Sequence, residues 1–272
     1  MIRKKTKQEI EIIRHGGKIL AKILNEICAL AQPGVKTGEM EKRANEIMIR
    51  LGGRPAFKNL VMHDGEKFPT ALCISINDEI VHGPALPSRV LKDGDVVGVD
   101  IGMEYPISNT VEPRNVYSKL GGYYTDMAKT VIVGKADEVA KNLVDVTREA
   151  LNLAICEVRP GNSLDDIGSA VQEYVEKKGF SVVKDLVGHG VGHDIHEDPQ
   201  VPNYKIRDNE LDNIILEPGM VLAIEPMINI GNHKIILKPD GFTFATADGS
   251  LSAHFEHTVA VTEEGCLVLT EL

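Results

Sequence analysis

Apolar positions in the first thirty residues recur every three to four: Ile10, Ile13, Gly17, Leu20, Leu24 and Ile27 fall on one stripe, the spacing of an amphipathic helix. Thr6 and Glu9 make a capping box at its start, and Pro33-Gly34 stops it. The next periodic stretch predicts a second helix from about Thr37 to Leu51, closed by Gly52-Gly53. Short apolar runs then replace the helical period. Leu72–Ile76, Val96–Asp100 and Tyr123–Val133 read as strands, with turns at Asn77-Asp78 and Lys92–Asp95. Helical patterns return from about Asp137 to Val158 and from about Ser163 to Lys178, ended by Pro160-Gly161 and Gly179. The remainder, Val182 to Leu272, reads as strands and turns.

This order repeats itself. Pro33-Gly34, a helix and Gly52 recur as Pro160-Gly161, a helix and Gly179, displaced by 127 positions. Leu91–Asp100 (LKDGDVVGVD) matches Leu216–Glu225 (LEPGMVLAIE) at a displacement of 125. Two matches in the same order at nearly the same offset point to two related α+β halves. A period of half the chain is too long for a solenoid.

The repeat aligns carboxylates. Asp100 follows Val96-Val-Gly-Val, and Glu225 follows Val221-Leu-Ala-Ile. Asp126 and Glu256 precede the β-rich runs Thr130-Val-Ile-Val and Thr258-Val-Ala-Val. An acid within an apolar strand is costly unless it is paired or binds metal. Four acids pointing into one place cannot all stay ionised without cations. Imidazoles join the set. His189 stands in Gly188-His-Gly-Val-Gly192, His196 in His-Glu-Asp-Pro199, and His82 in Val81-His-Gly83. His15, His63, His233 and His254 lack such a setting and read as surface or packing residues. His193 and His257 adjoin the motifs but point away by strand or turn alternation. Two Asp, two Glu and one His make an oxygen-rich donor set. It suits Mn, Fe or Co at least as well as Zn. Two cations held about 3.5–4 Å apart can lower the pKa of a shared water and clamp a reacting oxygen.

Composition narrows the partners. There are 30 Lys+Arg against 40 Asp+Glu, a formal charge of −10, which argues against nucleic acid and specific DNA as the main partner. Cys28, Cys73, Cys156 and Cys266 are far apart with no CxxC, as expected of reduced thiols in a cytoplasmic protein. Nothing approaches the length of a membrane span. No large amphipathic surface is left over, so a monomer is expected.

The motifs Val99-Asp100-Ile101, Tyr124-Thr125-Asp126, Gly188–Gly192, His196–Pro199, Ile224-Glu225-Pro226-Met227 and Phe255-Glu256-His257-Thr258 together resemble those of the type I methionine aminopeptidases. The resemblance runs from about Thr6 to Thr270. It implies an α+β pita-bread fold with two pseudo-symmetric halves and helices outside a curved antiparallel sheet. It further implies one catalytic domain over residues 1–272, with halves of about 1–134 and 135–272. Asp100, Asp126, His189, Glu225 and Glu256 would then hold two divalent ions (Co, Mn, Fe or Zn). Asp126 and Glu256 would bridge the ions, and Glu225 would also shuttle a proton. His82 would contact substrate near the scissile bond and His196 its carbonyl oxygen, and these two with Glu225 would be the catalytic residues. Phe57, Leu60, Phe68, Cys73, Ile195 and Phe242 would line a methionine pocket. The implied substrates are nascent chains starting with Met before a small second residue, and a transient ribosome contact stays open.

The sequence also departs from that family. Asp100 and Asp126 are 26 positions apart, more than usual, which places an inserted hairpin at about residues 104–121. The loop Val61–Lys67 looks extended, and Leu60 and Ile195 stand where aromatics are common. Two rival readings remain: a proline-specific aminopeptidase or prolidase of the same fold, and a binding protein that kept the fold without catalysis. The first usually carries a separate N-terminal domain, and the second is expected to lose ligands.

Overall fold

The expected elements are present in the computed structural model, which describes residues 2–61, 65–107, 121–206 and 213–272. The first half holds α1 (Lys7–Ala29), α2 (Thr37–Arg50), β1 (Arg54–Pro55), β2 (Leu72–Ile76), β3 (Glu79–Val81), β4 (Val96–Tyr105) and β5 (Tyr123–Ile132). The second opens with α3 (Glu138–Cys156), α4 (Leu164–Lys177), β6 (Ser181–Val182), β7 (Gly188–Gly190) and β8 (Glu197–Val201). It ends with β9 (Val221–Ile224), β10 (Met227–Asn229), β11 (Ile235–Leu237), β12 (Phe244–Thr246), β13 (Ser252–His254), β14 (Glu256–Thr262) and β15 (Gly265–Val268).

Helix α1 begins as its sequence requires. The Thr6 hydroxyl accepts the Glu9 amide at 3.2 Å, and the Glu9 carboxylate accepts the Thr6 amide at 2.8 Å, satisfying donors the first turn leaves unpaired. Helix α4 has the same reciprocal box between Ser163 and Asp166.

The main sheet runs β1-β4-β5-β14-β9-β7-β8 and is antiparallel throughout, with β2 also on β4 and β15 on β14. Its centre is the β5·β14 pair, one strand from each half, flanked by β4 and β9. Strand alternation sorts the side chains of β4. Val97, Val99, Ile101 and Met103 pack with α1 and α2 in one core cluster, while Asp100, Gly102 and Glu104 take the opposite face. On the other side of the centre, Leu222, Ile224, Val259 and Val261 pack with α3 and α4 in a second cluster. The helices therefore cover one face of the sheet and leave the other for polar residues. The fold is the pita-bread fold that the resemblance implies.

The sequence stopped the first acid-bearing strand at Asp100. In the structure β4 continues to Tyr105, paired residue by residue from Val96↔Ile132 to Tyr105↔Tyr123. Glu104, at the start of the expected insert, is fully buried inside this ladder. It is ion-paired to Arg54 and accepts the Gly122 amide at 3.1 Å. Residues 108–120 of that insert, and His63 in the Val61–Lys67 loop, lie outside the described residues.

Candidate active site

The register of the central strands sets the site. Ala128 on β5 faces Asp100 across one ladder and Glu256 across the other. Directly paired residues share a face, as do residues two apart on a strand. Asp100, Asp126 and Glu256 therefore surround the small Ala128 side chain. Across β14 the pattern recurs. Ala223 pairs with Thr258 and with His189, and Glu225 lies two residues beyond it. One acid per half comes from the central pair of strands and one from the flanking pair. Each set borders an alanine that leaves the floor open.

The donor atoms converge. Oxygens of Asp100, Asp126 and Glu256 lie within 4.8 Å of one another, and so do ligand atoms of His189, Glu225 and Glu256, and of Asp126, His189 and His196. His189 Nε2 is 3.5 Å from Glu225 Oε1 and 3.9 Å from Asp126 Oδ2. Its other nitrogen, Nδ1, is 2.9 Å from the Gly190 carbonyl. A carbonyl only accepts, so Nδ1 carries the proton and Nε2 offers its lone pair inward. That is the tautomer a metal ligand needs. Gly190 allows this turn, because a Cβ there would lie 2.2 Å from the Asp198 carbonyl. The Thr258 hydroxyl accepts the Asp126 amide at 3.0 Å and donates to its carbonyl at 2.8 Å. This side-chain clamp fixes Asp126 beyond the end of the β5·β14 ladder.

The electrostatics call for cations. Burial and mutual repulsion push Asp100 and Glu256 well above the carboxylate range, and burial drives Asp126 and Glu225 up to about 8. No lysine or arginine among the described residues pairs with any of the four. Asp100 Oδ1 and Glu256 Oε1 are buried without a hydrogen-bond partner, a cost the fold would not bear without something to bind there. Hard oxygen donors with one imidazole fit divalent cations. Thiolates play no part: burial and Asp100, its neighbour across β2·β4, hold the Cys73 thiol protonated.

Above this floor stand the other imidazoles. His196 is exposed to the cleft, its ring edge-on to His189 with centroids 4.5 Å apart. His82 has a left-handed backbone (φ 59°) and packs edge-on to Phe244. Burial lowers its pKa to about 4, so the ring is neutral. Phe57, Phe68, Cys73 and Ile195 form one apolar cluster with Leu60 and Phe242 packed on it. Phe68 sits edge-on to both Phe57 and Phe242. A cavity lined by Phe57, Leu60, Phe68 and Cys73 on one side reaches His82, His196 and the acids on the other.

Three other histidines lie near these motifs. His257 and His193 turn away from the acids, to Thr270 and Glu9 respectively. His254, expected to be a surface or packing residue, is only 3% exposed and puts Nε2 3.5 Å from Glu225 Oε2. No linear signal marks it, because β13 ends at His254 and β14, in the main sheet, begins only at Glu256.

A family model, "Metallopeptidase family M24", matches residues 11–263. The chain belongs to this family. Within M24 it is similar to methionine aminopeptidase 1 of Bacillus subtilis, 42% identical over 273 residues and the full length of both chains. The crystal structure of methionine aminopeptidase from Thermotoga maritima superposes with a TM-score of 0.88 at 43% identity, covering all of both chains. A prolidase from Pyrococcus horikoshii shares the fold, with a TM-score of 0.69 at 23% identity over 98% of this chain and 63% of its own. As a member of the M24 family this chain is a metallo-exopeptidase, a hydrolase.

Proposed function

We propose that this M24 chain, acting as one catalytic domain, removes N-terminal methionine from polypeptides whose second residue is small. The carrying observation is an acid cluster with unpartnered buried oxygens that opens directly onto an aromatic, apolar cavity. Its full-length likeness to named methionine aminopeptidases supports that choice over a prolidase.

Asp100, Asp126, His189, Glu225 and Glu256 would hold two divalent ions, Asp126 and Glu256 each belonging to two of the candidate ligand groups. Such ions supply Lewis-acid polarisation and a more acidic water. The chain's own residues do the rest. The flexible methionine side chain enters the cluster of Phe57, Leu60, Phe68, Cys73, Ile195 and Phe242, where thioether–aromatic contacts favour it. That fixes the first peptide bond over the acids. His196 donates from its ring to the carbonyl oxygen as negative charge develops there. His82 meets the peptide beside the scissile nitrogen. Glu225 takes the proton from water at its carboxylate oxygen and returns it to the leaving amine. The physiological partners are nascent chains that start with Met, met in the cytoplasm by a monomer. No described helix is long and apolar enough to cross a membrane. The test is hydrolysis of Met-Ala-Ser by protein with Glu225 intact and with Glu225→Gln. The reading requires free methionine from the first and a loss of at least about 10²-fold in kcat for the second.

A further inference from the structure

We infer that residues 3–9 are a strap that positions His196, and that its working contact is the ion pair between Lys5 and Glu197. The inference rests on His196 facing the substrate carbonyl, as proposed above.

Among the described residues no hydrogen bond holds the His196 ring, so its placement comes from the backbone turn that carries it, residues 192–197. Glu197 organises that turn. Its Oε1 accepts the amides of His193 and, at 2.8 Å, Asp194. Its Oε2 accepts Lys5 Nζ at 2.7 Å, and both side chains are 2% exposed. One carboxylate thus ties the turn to a chain segment nearly two hundred residues away. Lys5 is itself anchored, its amide donating to the Gly219 carbonyl at 2.7 Å. The slot for its stem exists because position 192 is glycine: at φ +139°, a Cβ there would lie 2.6 Å from Lys5 Cε. The same segment grips the turn again through His193 Nε2, 2.9 Å from Glu9 Oε1, and Glu9 also accepts the Tyr123 hydroxyl at 3.0 Å.

A buried ion pair is a poor device for stability alone, since desolvation offsets most of the attraction and an apolar pair would serve as well. What this pair adds is direction: a lysine and a two-ended carboxylate hold the turn in one register. Ile195 and His196 lie between the two amides Glu197 binds and Glu197 itself, so slippage moves the donor and a member of the apolar cluster beside the cavity together. The pairs Arg3–Asp194 and Lys4–Glu217 on the same segment are more exposed, and Arg3, 3.5 Å from Glu197 Oε1, is itself 42% exposed; these are expected to contribute little.

The test uses metal-loaded full-length protein with Lys5→Met, the double variant Lys5→Met/Glu197→Gln, His196→Ala, and Lys4→Ala as the exposed-pair control. The double variant leaves no unpaired buried charge and keeps acceptors for the two amides, so it folds even if Lys5→Met does not. Kinetics on Met-Ala-Ser are read beside bound metal and amide exchange at His193 and Asp194. In the double variant kcat is expected to fall about tenfold to 10²-fold, the cost of losing a near-attack geometry. Metal content stays unchanged, both amides exchange faster, and Lys4→Ala behaves as wild type. Wild-type kcat in the double variant while His196→Ala is impaired overturns the inference, as does a fall in kcat that tracks lost metal. A harmless His196→Ala with faster amide exchange in the double variant would show that the role given to His196 had failed, not the strap's hold on the turn. Unchanged exchange would show that the strap holds nothing.

Discussion

Asp126 and Glu256 differ from the other acids in where they sit. They come from the two central strands of the sheet, one from each half, and each shares a candidate ligand group with atoms from the other half. A carboxylate between two cations offsets their mutual repulsion. Asp126→Ala or Glu256→Ala is therefore expected to abolish activity and bound metal together, as read by elemental analysis of the purified protein. Two tightly bound ions in either variant would deny the residue its bridging place. His196 is the contrast, facing the cleft beside His189. His196→Ala is expected to lower kcat by about 10²-fold with metal content intact, because it acts on developing charge at the carbonyl oxygen. Loss of metal instead would make it a ligand. At this scale the sequence showed the acids readily, because a carboxylate at the end of an apolar run is conspicuous. It hid His254, which has no glycine beside it and reaches Glu225 only through the fold.

Among the elements, the β4–β5–β14 register carries the chemistry, and Ala128 is its hinge. Its side chain is flanked by Asp100 on one side and Glu256 on the other, and it is 2% exposed. Ala128→Leu should fill the floor while leaving every candidate ligand residue unsubstituted. Overpacking of a buried site forces neighbours out of place, so the expected result is a folded protein, by circular dichroism, that binds metal at least about tenfold more weakly. Unchanged metal affinity would mean that the alanine leaves no room the ions use. Helix positions were legible from period and caps: the third helix, expected from about Asp137 to Val158, spans Glu138–Cys156. Strand ends were not. Asp100 looked terminal because a charge interrupts the apolar run, yet β4 continues to Tyr105 on the alternation Val97, Val99, Ile101, Met103. Pairing with β5 and the Arg54–Glu104 ion pair hold the polar face of that extension. The Lys5–Glu197 contact was equally invisible, since nothing in a linear pattern joins such distant residues.

For the whole molecule, the acid cluster couples cations to stability. Asp126 and Glu225 have folded-state pKa values raised to about 8, against about 4 for unfolded carboxyls. A raised folded pKa favours the native state below the unfolded value, and that contribution is lost as pH rises through the folded one. The buried His82, His189 and His254, lowered to between about 3 and 4, act oppositely, but only below about 6.5, the value in the unfolded chain. Between pH 6.5 and 8 the acids act alone. Chelated protein should melt at progressively lower temperature across that window, and metal-loaded protein should not, because bound cations keep the acids ionised without penalty. A flat profile for the chelated protein would mean that the four acids do not share one buried floor.

The central claim is that this floor, beneath an aromatic cavity, cleaves methionine from peptide N-termini. It is tested most directly by the initial rate of methionine release from Met-Ala-Ser. Metal-free protein is measured before and after Mn, Fe, Co or Zn is restored, beside an Ala-Pro peptide. The account predicts no release without metal, release once at least one of these ions is added, and no comparable cleavage of Ala-Pro. Preferential cleavage of Ala-Pro, or no methionine release with ions demonstrably bound, would contradict it.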